Sequence, residues 1–584
     1  MTQDADNDRV AGKVAPSMEG AGFPAANMRA IYVVAGAVAS TLGPTPRDKL
    51  VVTALEARQD EDPSDPPRDV FTVATDGSTI IEELPLDHPI APLVERMIGP
   101  ERPGDTDIDG QDIPDGVTTS VALTAALLEE AENLLELGVH PTDIRRGFTR
   151  AQNAVTETLE SLAQPLDLPA RDQAEALARS AMNGNDIGGL IDTWVPLAVD
   201  AVQQVGAPNE KSFAIRTMRT GRISDSHLIA GTVLDRTGRA DNRMPEAVDD
   251  ASVLVLGGHK TGGLVDPTLE RDWTAGVADE VDPSELATAF DGRRESVLAD
   301  IVTADVDVVL ARRGMDAEYR AGLADHGILG LRGINRLKLA QAALATGATI
   351  VNDTTDIRPE HLGGAEQVSV RNHDPRPGRR RKRKMTVIEG CADPDAVTML
   401  LTGTFDQGGE QLTRQLRKAA AAVAIAAGHG TNHPGYLPGG GAADVAVARA
   451  IRETATELDS KAQLAVEAYA GAAEIVPFTL AKNAGEDPLS VVADIRARQV
   501  AGGSQYGYVF PDRSISDTVD AGVLDAHAIR RQTYTTATEV ANLILGIDDA
   551  VKASFSMDRA DPDEKIFDDR ARKVQDARED KDDA

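Results

Sequence analysis

Pro114-Asp115-Gly116-Val117-Thr118-Thr119-Ser120 is followed at once by an apolar-periodic run from Val121 to Leu137. A carboxylate, a glycine and two hydroxyls at the start of a helix are the parts of a phosphate and magnesium site. The first-turn N–H groups point outward along a dipole that favours negative charge, and Gly116 lets a phosphate approach the chain closely. Asp115 is the candidate metal ligand, because Mg2+ is commonly held by one or two carboxylates plus phosphate oxygens. The same residues also make an ordinary turn and helix N-cap. The weight therefore falls on what accompanies them along the chain.

The 584 residues carry a formal net charge of -34. A chain of that length folds as several domains with real cores, and an acidic balance argues against a nucleic-acid partner. Arginine outnumbers lysine and the acidic excess is spread over the whole chain. Such a surface suits a halophilic cytosol, where repulsion is screened within a few ångströms. Cys391 is the one cysteine, which excludes an internal disulfide and a cysteine-rich metal site. Met1 to Asp8 is polar and acidic, without a signal-peptide pattern, and no uninterrupted apolar run spans a bilayer. The expectation is a cytoplasmic protein without a membrane partner.

Met28 to Leu42 reads as a helix stopped by Gly43-Pro44, followed by the strand-like Leu50-Val51-Val52 and an acidic, proline-rich insertion from Arg58 to Arg68. Thr75-Asp76-Gly77-Ser78 between two short apolar runs predicts a hairpin turn within Phe71 to Ile81. Past Gly138 the pattern is helical to about Val205, with a break at Asn183-Gly184-Asn185. From Ile215 it changes. Val253–Leu256, Val306–Leu310, Ile328–Leu331 and Thr349–Val351 are short apolar or β-branched runs, and Asp316–Asp325 and Ile334–Thr346 lie between the last three. That alternation predicts a β-α-β-α-β layer with parallel strands. Asp282 to Ile301 reads as an amphipathic helix, Met385 to Ile388 as a strand, and Gln411 to about Ala427 as a helix. A glycine-rich loop, Gly428 to Gly441, then leads into further helices, and the tail from Met557 is charged and aperiodic. Helix-rich segments thus form both ends around an inserted α/β module.

Ser40-Thr41-Leu42-Gly43-Pro44, Thr75-Asp76-Gly77-Ser78-Thr79-Ile80, Asp115-Gly116-Val117-Thr118-Thr119 and Leu437-Pro438-Gly439-Gly440-Gly441-Ala442 occur in a telling order. In that order and context the chain resembles the group II chaperonins, the archaeal thermosome and its eukaryotic cytosolic relatives. His140-Pro141-Thr142, Asn483-Ala484-Gly485 and Ile544-Leu545-Gly546-Ile547 support it, and the likeness runs from about residue 20 to residue 552. The resemblance implies a multidomain α+β/α fold: a helical equatorial domain (1–144 and 435–584), a small intermediate domain (145–213 and 403–434), and an α/β apical domain (214–402). A helical protrusion would lie near Val265 to Arg293. It further implies ATP and Mg2+ as cofactors, unfolded polypeptides as clients, and a homo- or hetero-oligomeric double ring of like subunits.

Residue by residue, the resemblance assigns Gly43, Pro44, Asp115, Gly116, Val117, Thr118 and Thr119 to phosphate and Mg2+. It assigns Gly440 and Gly441 to the nucleotide's ribose and base, Asp525 to the ribose, and Asp76 to the attacking water. There are three departures. Lys418 stands where the family has its catalytic aspartate; an ammonium has no lone pair to accept a proton from water. Asn183-Gly184-Asn185 replaces a nucleotide-sensing Thr-Gly-Lys. Pro46 and Pro114 replace glycines, each removing a backbone donor.

Other candidates are weaker. The basic run Arg379 to Lys384 has no interleaved aromatics and reads as a solvated loop rather than an anion or RNA site. His429 and His433 lie in a glycine loop and share no helical face, so a metal site is not expected. No Gly-x-Gly-x-x-Gly joins a strand to a helix in the α/β layer. Leu264, Val265 and Leu269 are candidates for lid or client contact, or for the core. Three functions stay open: an ATP-driven folding chamber, a subunit that binds nucleotide and assembles without hydrolysing it, and a holdase that has left the ring.

Overall fold

The chain enters on α1 (Phe23–Val38), where Met28, Ile31, Val34 and Val38 recur at helical spacing and are buried. A computed structural model of the protein describes residues 23–547 apart from 44, 48, 55–68, 75–76, 85–87, 89, 99–115, 170, 183–189, 219–220, 236–237, 259–263, 266–282, 374–382, 404–405, 457 and 459. β1 (Lys49–Ala54) and β2 (Asp69–Ala74) pair antiparallel, Lys49 opposite Ala74. The hairpin predicted around Thr75–Ser78 is therefore wrong, since Gly77 begins a helix, α2 (Gly77–Glu83). Ile80 and Ile81 are adjacent rather than alternating, and both are buried, so the run that read as a second strand is the inner face of one helical turn. α3 (Ala91–Ile98), α4 (Val117–Glu136) and α5 (Pro141–Leu162) follow. α5 starts on a local signal: the His140 ring accepts from Thr142 N at 3.2 Å, Pro141 takes the first turn and Asp143 meets the dipole.

The chain then leaves this bundle through α6 (Arg171–Ala181), α7 (Leu190–Val205) and β3 (Phe213–Met218). The α/β part holds β4 (His227–Ile229), β5 (Thr232–Asp235), β6 (Ala247–Leu256), α8 (Pro283–Thr303), β7 (Val308–Ala311), α9 (Ala317–Asp325), β8 (Leu329–Leu331), α10 (Arg336–Thr346), β9 (Ile350–Val351), β10 (Gly363–His373), β11 (Arg383–Glu389) and β12 (Val397–Thr402). The expected parallel layer is present: β6 pairs parallel with β7 and β9, and β7 with β8. These strands read as unbroken apolar runs because helices cover the sheet; Val253–Leu256 and Val308–Ala311 are fully buried. The other half of the seven-stranded sheet is antiparallel, in the order β5-β11-β10-β6. β3, β12 and β4 form a separate three-stranded sheet. Leu264 is fully buried and bridges Met315, which makes it a core residue; Val265 is half-buried, and Leu269 lies outside the described residues, as does most of the basic run.

The return path is α11 (Asp406–Ala426), β13 (Tyr436–Pro438), α12 (Ala442–Ala455), α13 (Ala462–Ala473), α14 (Ile475–Ala484), α15 (Pro488–Gly502), β14 (Tyr506–Val509), β15 (Ser514–Asp517), β16 (Leu524–Ala526) and α16 (His527–Leu545). β13 lies inside the stretch that read as a glycine loop, pairing antiparallel with β16. Ala462–Ala484 is long and apolar enough to cross a membrane, yet it is α13 and α14, with Val466, Tyr469 and Ala473 fully buried. The helices meet at Glu474, whose carboxylate takes Arg452 of α12 at 2.9 Å and Arg496 of α15.

Three cores result. One joins α1–α5 to α12, α13 and α16, with Phe148 and Tyr469 edge to face at 5.6 Å. A second packs α6, α7 and α11 on β3, β12 and β16 around Trp194. The third lies on the seven-stranded sheet. Phe148 has no exposed surface. Phe148→Ala should destabilise the first core by about 3–5 kcal/mol, read as a lower denaturation midpoint, with the far-UV signal of the native state kept.

Candidate functional site

Gly116 is the N-cap of α4 and sits at φ 89°. A glycine there has no side chain to occupy the first-turn N–H groups of Val117, Thr118 and Thr119, so that end of the dipole faces whatever lies before it. A Cβ on Gly116 would sit 2.6 Å from Thr533 Oγ1, so the backbone is packed as closely as glycine permits. Gly77 approaches from the other side; a Cβ on it would fall 2.2 Å from Thr118 Oγ1. Asp76 and Asp115 lie outside the described residues, but their chain neighbours Gly77 and Gly116 meet at Thr118.

The Ser40–Gly43 loop is held beside this end of α4 by an amide. Asn483 Nδ2 donates to Ala39 O at 3.0 Å and Leu42 O at 2.7 Å, and Thr45 Oγ1 donates back to Asn483 O at 2.8 Å. Thr41 Oγ1 donates to Val38 O and lies 3.5 Å from Thr118 Oγ1. The third wall is the Gly439–Gly441 turn, with Gly440 at φ 59° and Gly441 at φ 78°. Gly440 O accepts from Tyr508 N at 2.9 Å, and a Cβ on Gly440 would lie 2.3 Å from Tyr508 O. α12 begins there on a second glycine N-cap.

These walls enclose a cavity of about 360 Å³. Gly43, Gly116, Val117, Thr118, Thr119, Gly440, Gly441 and Asp525 all line it. The lining also includes apolar side chains, Val476, Leu480, Phe510, Val523 and Ile529. A lining of helix N-termini, hydroxyls and close-packed glycines together with apolar side chains suits a phosphorylated ligand with a flat apolar part. Pro44 lies outside the described residues. Lys418 does not line the cavity; it is half-buried on α11, one turn before Ala422, which does.

Charge enters at the cavity wall. Arg530 bonds Asp525 and lies 3.7 Å from Asp444, which is wholly buried and accepts from Tyr534 OH at 2.8 Å. Burial alone would lower the Arg530 pKa, but Asp444 and Asp525 together carry it above its ordinary value, so the guanidinium stays charged. Burial pushes the Asp444 carboxyl up, with Arg530 opposing. Arg179, Ser180, Tyr508, Arg530 and Thr533 also line the cavity and were not predicted. Arg530 follows Asp525 by five residues, close enough for the pairing to have been read; the others carry no local signal.

The TCP-1/cpn60 chaperonin family model matches residues 34–554. The chain belongs to that family. Among curated chaperonins it is 32% identical to the thermosome subunit of Methanopyrus kandleri over 538 residues, 90% of this chain and 91% of that one. It is equally 32% identical to thermosome subunit 3 of Haloferax volcanii over 535 residues, 90% and 95% of the two chains. Among solved structures it is similar to the open-state monomer of a group II chaperonin from Methanococcoides burtonii. That match has 27% identity and a TM-score of 0.55, over 74% of this chain and all of the other.

Two outcomes test the packing at and beside the cavity. Gly138 also has a positive φ, 77°, but a Cβ there meets nothing. Gly138→Ala should cost only the left-handed strain, about 1–2 kcal/mol, and Gly440→Ala distinctly more, in denaturant titrations. His433 and His527 stack edge to face at 5.9 Å behind β16, with Arg531 Nη1 2.6 Å from His433 Nδ1. Burial lowers both imidazole pKa values, and Arg531 adds to it. Folded values below unfolded ones give stability that is complete above about pH 6.5 and lost as pH falls through the folded values. His527→Gln should remove part of that acid-side slope in midpoints measured between about pH 7 and 5.

Proposed function

We propose that this chain is a thermosome-like chaperonin subunit that binds MgATP in the cavity and unfolded polypeptide elsewhere on the molecule, assisting folding within a cytoplasmic double ring of like subunits. The observation that carries the nucleotide reading is the convergence of Gly43, Gly116–Thr119, Gly440–Gly441 and Asp525, from distant parts of the chain, on one cavity. The glycines fit the group indirectly: a Cβ on Gly116, Gly440 or Gly441 would strike Thr533, Tyr508 or Pro477, so its absence lets the walls close tightly around the cavity. Val117, Thr118 and Thr119 would hold phosphate, Asp525 the ribose, and Asp115 Mg2+, whose charge offsets that of the phosphates. Asp76 would position water. In this reading 1–144 with 435–584 form the equatorial part, 145–213 with 403–434 the intermediate part, and 214–402 the apical part, with its protrusion near residues 265–293.

Hydrolysis is slow or absent in this reading, because Lys418 occupies the position of the family's general base. A well-placed base is worth about 10²–10⁴-fold in rate. The subunit then acts as a nucleotide-gated or structural partner, alone or beside hydrolysing paralogues. ATP turnover and ADP binding in concentrated KCl are the deciding measurements, with Lys418→Asp alongside. ADP should bind, turnover should be near background, and the exchange should raise it. Brisk turnover that drops on the exchange rules out the inactive form. Electron microscopy showing no double rings in high salt would favour a holdase outside the ring.

A further inference from the structure

Three charged side chains line the cavity among the described residues: Asp525, Arg530 and Arg179. Arg530 is committed to the two carboxylates that bury it. Arg179 is differently placed. It stands near the end of α6 with its side chain 39% exposed, and its partners are Asp192 of α7, Nη1 to Oδ1 2.5 Å, and Glu175, Nη2 to Oε2 3.8 Å. Asp192 is itself 75% exposed. An ion pair that wet holds its partners weakly. A phosphate in a walled cavity is the stronger competitor, since it is multiply charged, less screened and matched to the planar guanidinium fork.

We propose that Arg179 is the phosphate-binding cation of this cavity, exchanging Asp192 for the anionic end of the bound nucleotide; this rests on the nucleotide reading above. The exchange makes ligand and Asp192 rivals for one guanidinium. Occupancy of the cavity therefore releases one of the ties between α6 and α7, and that tie in turn weakens binding by the same factor. Arg179 thereby links the cavity to the second core, which α6 and α7 build with α11.

The test titrates MgATP, MgADP and adenosine into the full chain and its variants by calorimetry in KCl. Arg179→Ala should weaken both phosphorylated ligands roughly ten- to a hundredfold, the worth of a charge-assisted hydrogen bond, and leave adenosine unchanged. Adenosine also reports that the cavity is intact. Arg179→Lys should restore part of the loss. Asp192→Asn should tighten MgATP, and an unchanged affinity overturns the rivalry. The inference is overturned if Arg179→Ala binds MgATP like the parent, or if it loses adenosine in parallel. It is also overturned if Asp192→Asn weakens MgATP as much as Arg179→Ala, which is the signature of a purely structural pair. A parent chain that binds none of the three ligands removes the nucleotide reading itself.

Discussion

Helix α4 is buried through its first three turns, with Val121, Leu123, Leu127 and Leu128 showing no exposed surface, while Glu129, Asn133 and Glu136 reach solvent further on; its amino end is where it leaves the core for the cavity. A helix buried over that length cannot shift along its axis without opening voids among α1, α5, α13 and α16, and interiors at crystal-like density resist that strongly. The N–H groups at Gly116 to Thr119 are therefore fixed relative to everything that packs on α4. The glycine turn at 439–441 is fixed to Tyr508 by a backbone hydrogen bond and a contact too close for any Cβ. The recognition elements are preorganised by packing rather than by their own sequences, which is why short motifs suffice to encode them.

The chemistry of the cavity is divided between that rigid frame and a few charges. Arg530 is held from beneath by Asp444, which Tyr534 bonds in turn, so the Asp525 carboxylate at the cavity wall is oriented by a chain of buried polar groups. Such a chain is costly to leave partly satisfied, and it specifies one arrangement of β16 against α12 and α16. Asn483 does the same for the Ser40–Gly43 loop with two donated hydrogen bonds. It entered the sequence reading only as part of a motif; its place between Ala39 and Leu42 supplies the physical reason.

How much was legible follows from what each signal depends on. The parallel strands Val253–Leu256 and Val308–Ala311 announced themselves because double-sided burial leaves an unbroken apolar run, and α9 and α10 because of their spacing between such runs. The glycines at 43, 116, 440 and 441 were readable as motifs, and the cavity brings them together. Thr75–Ser78 misled because Asp-Gly-Ser serves turns and helix starts equally, and only the true partner of β2, which is β1 across an acidic insertion, separates the two. β13 was invisible, since three residues inside a glycine-rich stretch carry no period, and β16 completes the pair from nearly a hundred residues away. Arg179 reads on α6 as one more surface cation; nothing local says that α6 ends at the cavity.

The first core draws on residues from Met28 to Leu159 and again from Leu437 to Leu545, with the other two cores encoded largely in between. During synthesis the amino-terminal helices emerge without the surfaces that α12, α13 and α16 will cover. The seven-stranded sheet, encoded wholly within the middle of the chain, has all its strands made long before then. This protein, whose family folds others, therefore presents the half that carries the glycine-walled cavity as an unfinished hydrophobic surface until α16 has been made.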